Sequence, residues 1–380
     1  MRAASGRSTH SQRLETWLGA DAVAGMTRSM QGRGWTGPPI PVHGVPGAVY
    51  ITSDGDFIGP IDGGQAAGKL DRVNDYLNRE RRRRVTKAGH LRRQSGAFGS
   101  LSQLIAAATG GKRQDPVFTK TGTASNAIGN GEDLWVATGQ PVAGAASSAA
   151  PGGRAPTSAT AGSLAFVNPA TANSTHFVAG RVTSQVVANT LLLTDRLFDV
   201  VKTMNSTATE AVTGTFARYQ SGTSTDEDYI GGNFCYPYVP TTVLAGTGHN
   251  WTVCQYTDQG SNTAQSFPSI AGVSACTVGG IDLVAGSWFM PLASADVGVK
   301  ALSQMQCSAL VATGTIDFVI AHAIAFFPCP VANMMCEVDG INTAFNLTRI
   351  YDNACLNFIE MPKPATTLSI YSGQLTLVAE

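Results

Sequence analysis

The chain has 380 residues, only 14% of them charged, with Lys+Arg and Asp+Glu balanced at 26 each. That length gives ample chain for a core and an expectation of two or three domains. Low charge with 42 Gly and abundant Ala, Ser and Thr excludes a long helical protein, which would run to Ala, Glu, Lys, Leu and Arg. The balance hides a polarity: residues 1–120 carry +9 and the remainder −9. An N-terminal segment of that sign suits an acidic surface, and the acidic remainder does not suit nucleic acid. Met1–Arg13 has no apolar stretch after its basic residues, which argues against a secretory leader. No run approaches the roughly 18 apolar residues that cross a bilayer.

Residues 1–65 read as irregular, with short helical turns within Ser11–Met30. Pro and Gly between Gly32 and Pro46 oppose regular structure. Val49–Ile58 predicts a small hairpin turning at Asp54-Gly55. A segment this long and irregular reads as an arm that lies on something else. Ala66–Leu77 and Arg79–Ala88 predict helix, and Ser100–Ala108 a further short helix ending at Gly110-Gly111. Residues 1–120 therefore form a basic arm with short helices. Residues 121–164 form a Gly/Ala/Ser/Thr-rich linker or strap, because that composition cannot bury enough apolar area to order itself alone.

From residue 165 to 380 the pattern is that of strands. Val182–Met204 predicts strand with a bend at Thr194-Asp195-Arg196. Thr213–Tyr219, Trp251–Tyr256 and Gly279–Val284 predict further strands, and Thr223–Asp228 an acidic loop. Gly314–Phe327, Leu347–Ile359 and Leu368–Ala379 follow. In Thr315–Ile324, residues Ile316, Phe318, Ile320 and Ile324 share one parity and Asp317 takes the other. Period two with Gly, Pro and Asp between runs is the mark of half-buried antiparallel strands. The expected fold is mainly β: a C-terminal antiparallel β-sandwich, jelly-roll-like, with an extended, partly helical N-terminal arm.

No constellation carries chemistry. Gly63–Leu70 fits G-x-x-x-x-G-K and then fails, because Leu70 stands where a magnesium-binding hydroxyl is needed. Gly272–Cys276 breaks the G-x-S-x-G pattern at its last position. The six His are dispersed, and His322, inside the strongest strand, reads as a core or interface residue. Asp226, Glu227 and Asp228 form one acidic patch that reads as solvated. Arg349 and Asp352 read as a structural ion pair or turn. The seven Cys contain no CxxC and read as buried, reduced thiols. No catalytic, cofactor-binding or metal-ligating residue is assigned, and an enzyme is not expected. The run at Arg79, Arg81, Arg82, Arg83 and Arg84, with Arg92 and Arg93, reads as a contact to acidic protein neighbours. Nucleic acid, bound through its phosphates, is the lesser alternative for it, since no aromatic residues interleave and no nucleic-acid module surrounds it.

The C-terminal half resembles a group of tailed-bacteriophage virion proteins. The residues that carry this are Thr213–Tyr219 with Gly222, Tyr256–Gly260, Phe289–Leu292 with Asp296–Val299, and Leu347–Leu356. The resemblance implies a β-sandwich, head-associated structural component: a decoration, cement or minor head protein acting through inter-subunit contacts. Its implied partners are a major capsid protein and further copies of itself as a symmetric oligomer, with no membrane. The implied location is the virion, assembled in the host cytoplasm. Two alternatives stand beside it, a tail-associated receptor- or glycan-binding protein and a major capsid subunit.

Overall fold

The computed structural model describes residues 98–123, 128–185, 189–220, 231–293, 295–340, 347–361 and 369–380, and three short strands before them. The chain divides into two units, residues 1–89 and 90–380. In the first, β1 (Ile40–Pro41), β2 (Tyr50–Ile51) and β3 (Phe57–Ile58) form an antiparallel sheet in chain order. The expected hairpin is thus present, with Tyr50 opposite Ile58. A strand also forms at Pro41, within a stretch expected to be irregular: as an end residue of a two-residue strand, proline interrupts no ladder. The helices expected before residue 89, the Gly63–Leu70 near-miss, and Arg79, Arg81–Arg84, Arg92 and Arg93 lie outside the described residues.

In the second unit, α1 (Leu101–Thr109) is the expected short helix. Ser100 caps it by accepting the Gln103 amide at 3.2 Å, and Gln103 Oε1 accepts the Gly99 amide at 2.7 Å, a variant of the reciprocal capping box. Strands then follow. They are β4 (Arg113–Gln114), β5 (Val117–Thr121), β6 (Glu132–Asp133), β7 (Thr138–Gln140), β8 (Thr175–Ser184), β9 (Asn189–Thr203) and β10 (Glu210–Ala211). Next come β11 (Asn233–Tyr238), β12 (Asn250–Trp251), β13 (Gln255–Asp258), β14 (Gln265–Ser266), β15 (Ile270–Ala271) and β16 (Val299–Met305). The last are β17 (Thr315–Cys329), β18 (Met335–Asp339), β19 (Arg349–Ile350), β20 (Leu356–Glu360) and β21 (Ile370–Ala379). Among the described residues no helix is long and apolar enough to cross a membrane.

The fold is a mainly-β stack of antiparallel sheets. A central sheet has the order β11-β17-β9-β20-β6. One face packs on the sheet β18-β8-β21-β5-β7, with β19 beside β8 and β4 beside β21. That core is made by Phe118, Phe177, Leu191, Leu193, Phe327, Phe358 and Leu375; the Phe118 and Phe358 rings stack 4.1 Å apart. The other face packs on the sheet β10-β16-β13-β14 and the β12-β15 pair. There Phe198, Tyr236, Trp251, Tyr256, Ile316 and Phe318 meet.

This two-sided cover corrects the expectation of half-buried strands. Ile316–Ala321 is buried without a break, as is Leu191–Lys202, because each face of the central sheet has its own apolar layer. Strands between two layers read as continuous apolar runs, and parity loses its meaning. Parity also breaks along β17. Its register with β9 shifts twice, so that Leu197 and then Ile324 are extra residues. Such bulges twist and re-aim a strand. Ile316, Phe318 and Ile320 accordingly lie in one core while Ile324 lies in the other. The bend expected at Thr194–Arg196 falls at these bulges. Thr213–Tyr219 is not a strand but an irregular segment, and Gly279–Val284 makes bridges only at Gly280 and Ile281. Both segments dock side chains into the core rather than extend a ladder.

Candidate functional site: a buried charge network beneath the strap

The Gly/Ala/Ser tract lies against this chain's own central sheet. β20 covers β9 only from Leu191 to Asp195. Beyond that point the tract takes the same edge. Ala150 N–H donates to Val201 O at 3.1 Å, Val201 N–H to Ser148 O at 3.0 Å, and Arg154 and Asp199 exchange both backbone bonds. Backbone groups of the edge are thereby satisfied, as burial requires. Small residues are needed because the tract wraps the fully buried Trp135 ring. A Cβ on Gly144 would stand 2.1 Å from that ring, and one on Gly162 (φ +102°) 2.9 Å from it.

Arg196 sits beneath the strap, completely buried. Its guanidinium donates to Asp133 Oδ2 at 2.6 Å, Asp199 Oδ2 at 2.9 Å and Asp317 Oδ2 at 3.3 Å. It lies 4.7 Å from the Trp135 ring centre and 5.0 Å from that of Tyr238, so cation–π attraction adds to the ion pairs. Arg154, from the strap, donates to Asp199 Oδ2 at 2.6 Å. Tyr236 and Tyr238 donate their hydroxyls to Asp133 and Asp317 at 2.9 and 3.3 Å. Asn357 Nδ2 donates to Asp133 Oδ1 at 2.7 Å, and the Ser147 amide to Asp317 Oδ2 at 3.2 Å. Side chains from β6, β9, β11, β17, β20 and the strap thus converge on one guanidinium.

Three carboxylates against two guanidinia leave an excess negative charge. It falls on Asp317, whose carboxyl is pushed up to about 7 by burial and then by the Asp199 charge, against the pull of Arg196. Asp317 Oδ1 has no hydrogen-bond partner among the described residues, which leaves it free to hold the proton. Asp199 resists the same burial because Arg196 and Arg154 hold it below the usual carboxylate range. From the other core Lys120 donates to Ala137 O at 3.2 Å. Burial lowers its ammonium to about 8 against the attraction of Asp133.

A second pair flanks the network. Arg218 grips Asp195 through Nε and Nη2 at 2.8 and 2.9 Å, and donates to Arg196 O at 3.0 Å. It hangs from the segment expected to be a strand, beside Tyr219 at φ +52°. His322 stacks on Tyr219 with ring centres 3.9 Å apart and bonds Asn233 Oδ1 at 2.8 Å. Burial lowers it to about 4. Further away, His249 Nε2 lies 2.8 Å from Asp282 Oδ2. Asp352 exchanges bonds of 3.0 Å with Asn173 at a turn, and Arg349 lies over the Tyr351 ring.

Each carboxylate of the network is engaged from within the fold. Among the described residues no cluster of three or more His, Cys, Asp or Glu could hold a metal. The residues assigned from sequence to partner contact (Arg79, Arg81–Arg84, Arg92, Arg93) and the acids Asp226, Glu227 and Asp228 lie outside the described residues. The Arg196 network went unassigned. Its signal was the charge of Asp195, Arg196 and Asp199 inside an apolar run, which suits a strand only if partners are buried with it.

No protein-family model matches this chain, and no curated protein does. Among solved structures it is similar to the crystal structure of the infectious bursal disease virus VP2 subviral particle, at 10% identity over 70% of this chain and 80% of that one, with a TM-score of 0.16. A likeness at that level carries no argument about fold or role.

Proposed function

We propose that this chain is a structural protein of a tailed-phage virion, a capsid decoration, cement or minor head protein that works through contacts between subunits. The observation that carries the reading is the contrast between a charge-locked interior and an aromatic surface patch. Phe289 and Phe326 are exposed, with ring centres 4.6 and 6.2 Å from that of the half-buried Trp288. Contiguous exposed aromatics are what an inter-subunit contact uses. The interior acids, engaged by Arg196, Arg154 and Arg218, support a mechanical part over a catalytic one. The basic residues Arg79, Arg81–Arg84, Arg92 and Arg93 are the contacts offered to acidic neighbours, and a second copy of this chain is the other partner.

Copy number in purified particles, by quantitative mass spectrometry against the main shell protein, tests this. Hundreds of copies place the chain on the shell. A dozen or fewer move it to a vertex or the tail, where glycan binding becomes the better reading. Absence from particles overturns the proposal.

A further inference from the structure

Of the seven cysteines six are buried, and Cys336 alone is half-buried. Cys329 ends β17 in the central sheet, and Cys336 stands in β18, the edge strand of the neighbouring sheet. Residues 330–334 carry the chain across between them. The crossing is held by Asn333, which adopts φ +61° and donates its amide to Ser184 O at 2.7 Å. Register sets where the two side chains go. Cys336 is opposite Val182 of β8, and antiparallel partners share a face. Val182 and Cys329 both belong to the core between the two sheets, and Cys336 packs against it. Only residues 330–334 and the start of β18 separate them in the chain, and each thiol acts on the other's ionisation. No other cysteine combines a thiol neighbour with access to solvent: Cys235, Cys254, Cys276, Cys307 and Cys355 are all sealed in the interior.

We propose that Cys329 and Cys336 are a redox pair whose oxidation to a disulfide staples the edge strand β18 to the central sheet. The oxidant is a small-molecule disulfide. Cys336, the accessible member, loses its proton and attacks one sulfur of that disulfide, expelling a thiolate that takes up the proton. Cys329 then loses its proton, attacks Cys336 Sγ and displaces the second small thiol. Two protein thiols are oxidised and one external disulfide is reduced to two thiols, through the mixed-disulfide route of all such exchanges. Burial pushes Cys329 up to about 11 and also raises Cys336, so closure quickens with alkalinity. β18 is the strand that gains most, being paired on one side only, with β8. The inference rests on this corner of the fold and stands apart from the virion reading.

The test is to incubate the folded full chain with oxidised glutathione and cleave it with cyanogen bromide, which cuts after Met334 and Met335 between the two cysteines. Wild type is expected to give fragments 306–334 and 336–361 joined by a reducible link, and a melting temperature raised by roughly 5 °C. Cys329→Ala is expected to stop at a glutathione adduct on Cys336, and Cys336→Ala to remain unmodified. A wild type that also stops at the adduct, that stays reduced while its urea-unfolded control reacts, or that keeps its link in either variant overturns the proposal.

Discussion

The face of the central sheet toward β8 and β21 and the stretch of β9 beneath the strap solve the same packing problem with different chemistry. Toward β8 and β21 the seal is hydrocarbon, with Phe118 on Phe358 and Phe177 edge-on to Phe327 at 6.1 Å. Toward the strap, Arg196 is buried with Asp133, Asp199 and Asp317. Apolar faces attract without direction, whereas an ion network accepts only one placement of its donors. The comparison teaches a division of labour. Hydrocarbon holds the layers together, and the charges dictate where a tract with almost no side chains of its own must lie. Removing charge is not equivalent to removing bulk, because a buried ion left alone costs more than the pair gained.

The largest effect is expected from breaking the ionic side. Arg196→Ala leaves three buried carboxylates without their shared cation and should cost about 3–5 kcal/mol in urea unfolding. Loss of under 1 kcal/mol would erase the distinction between the two regions. On the hydrocarbon side Phe327→Ala should cost about 3 kcal/mol through its cavity and, unlike Arg196→Ala, leave the strap's protease resistance intact. Gly144→Ala tests the strap alone: its Cβ meets the Trp135 ring, at a cost of about 1–3 kcal/mol, with proteolysis within residues 143–161 as the readout.

Protonation sharpens the contrast further. Asp317 has a raised folded pKa, so its contribution is fully present below the unfolded value of 3.8 and is lost as pH rises through about 7. The wild-type minus Asp317→Asn difference in unfolding free energy should therefore fall across that window and level off above it. His322 works in the opposite sense. Its folded pKa is depressed to about 4 from 6.5, so its contribution is present above pH 6.5 and lost as pH falls through 4. His322→Gln should weaken acid sensitivity, the smallest of these effects, measured as the melting temperature between pH 7 and 4.

Much of the ladder was legible in the sequence, because local rules set it. Ser100, Gln103 and Gly110 bound α1, and apolar runs ending in turns gave β17 and β21. What the sequence concealed is non-local. Nothing in Ile316–Ile324 says that a second layer will cover its other face or that Ile324 will be an extra residue. The strap's glycines read as looseness until Trp135 is seen beneath them. Thr213–Tyr219 has strand-like residues, yet its role is to deliver Arg218 to Asp195. The site was hardest to read because its acids come from positions 133, 199 and 317, which no spacing rule links.

The order of strands has a consequence for how the protein comes into being. β21, at residues 370–379, lies in the interior of its sheet, between β8 and β5, and β20 closes against β6, which is made more than two hundred residues earlier. Neither sheet can finish until the ribosome has delivered these late strands. Until then β5 and β8 expose the edges that β21 will fill, and such edges invite pairing with other nascent chains. Pairings this distant in sequence make closure of both sheets slow relative to their local turns.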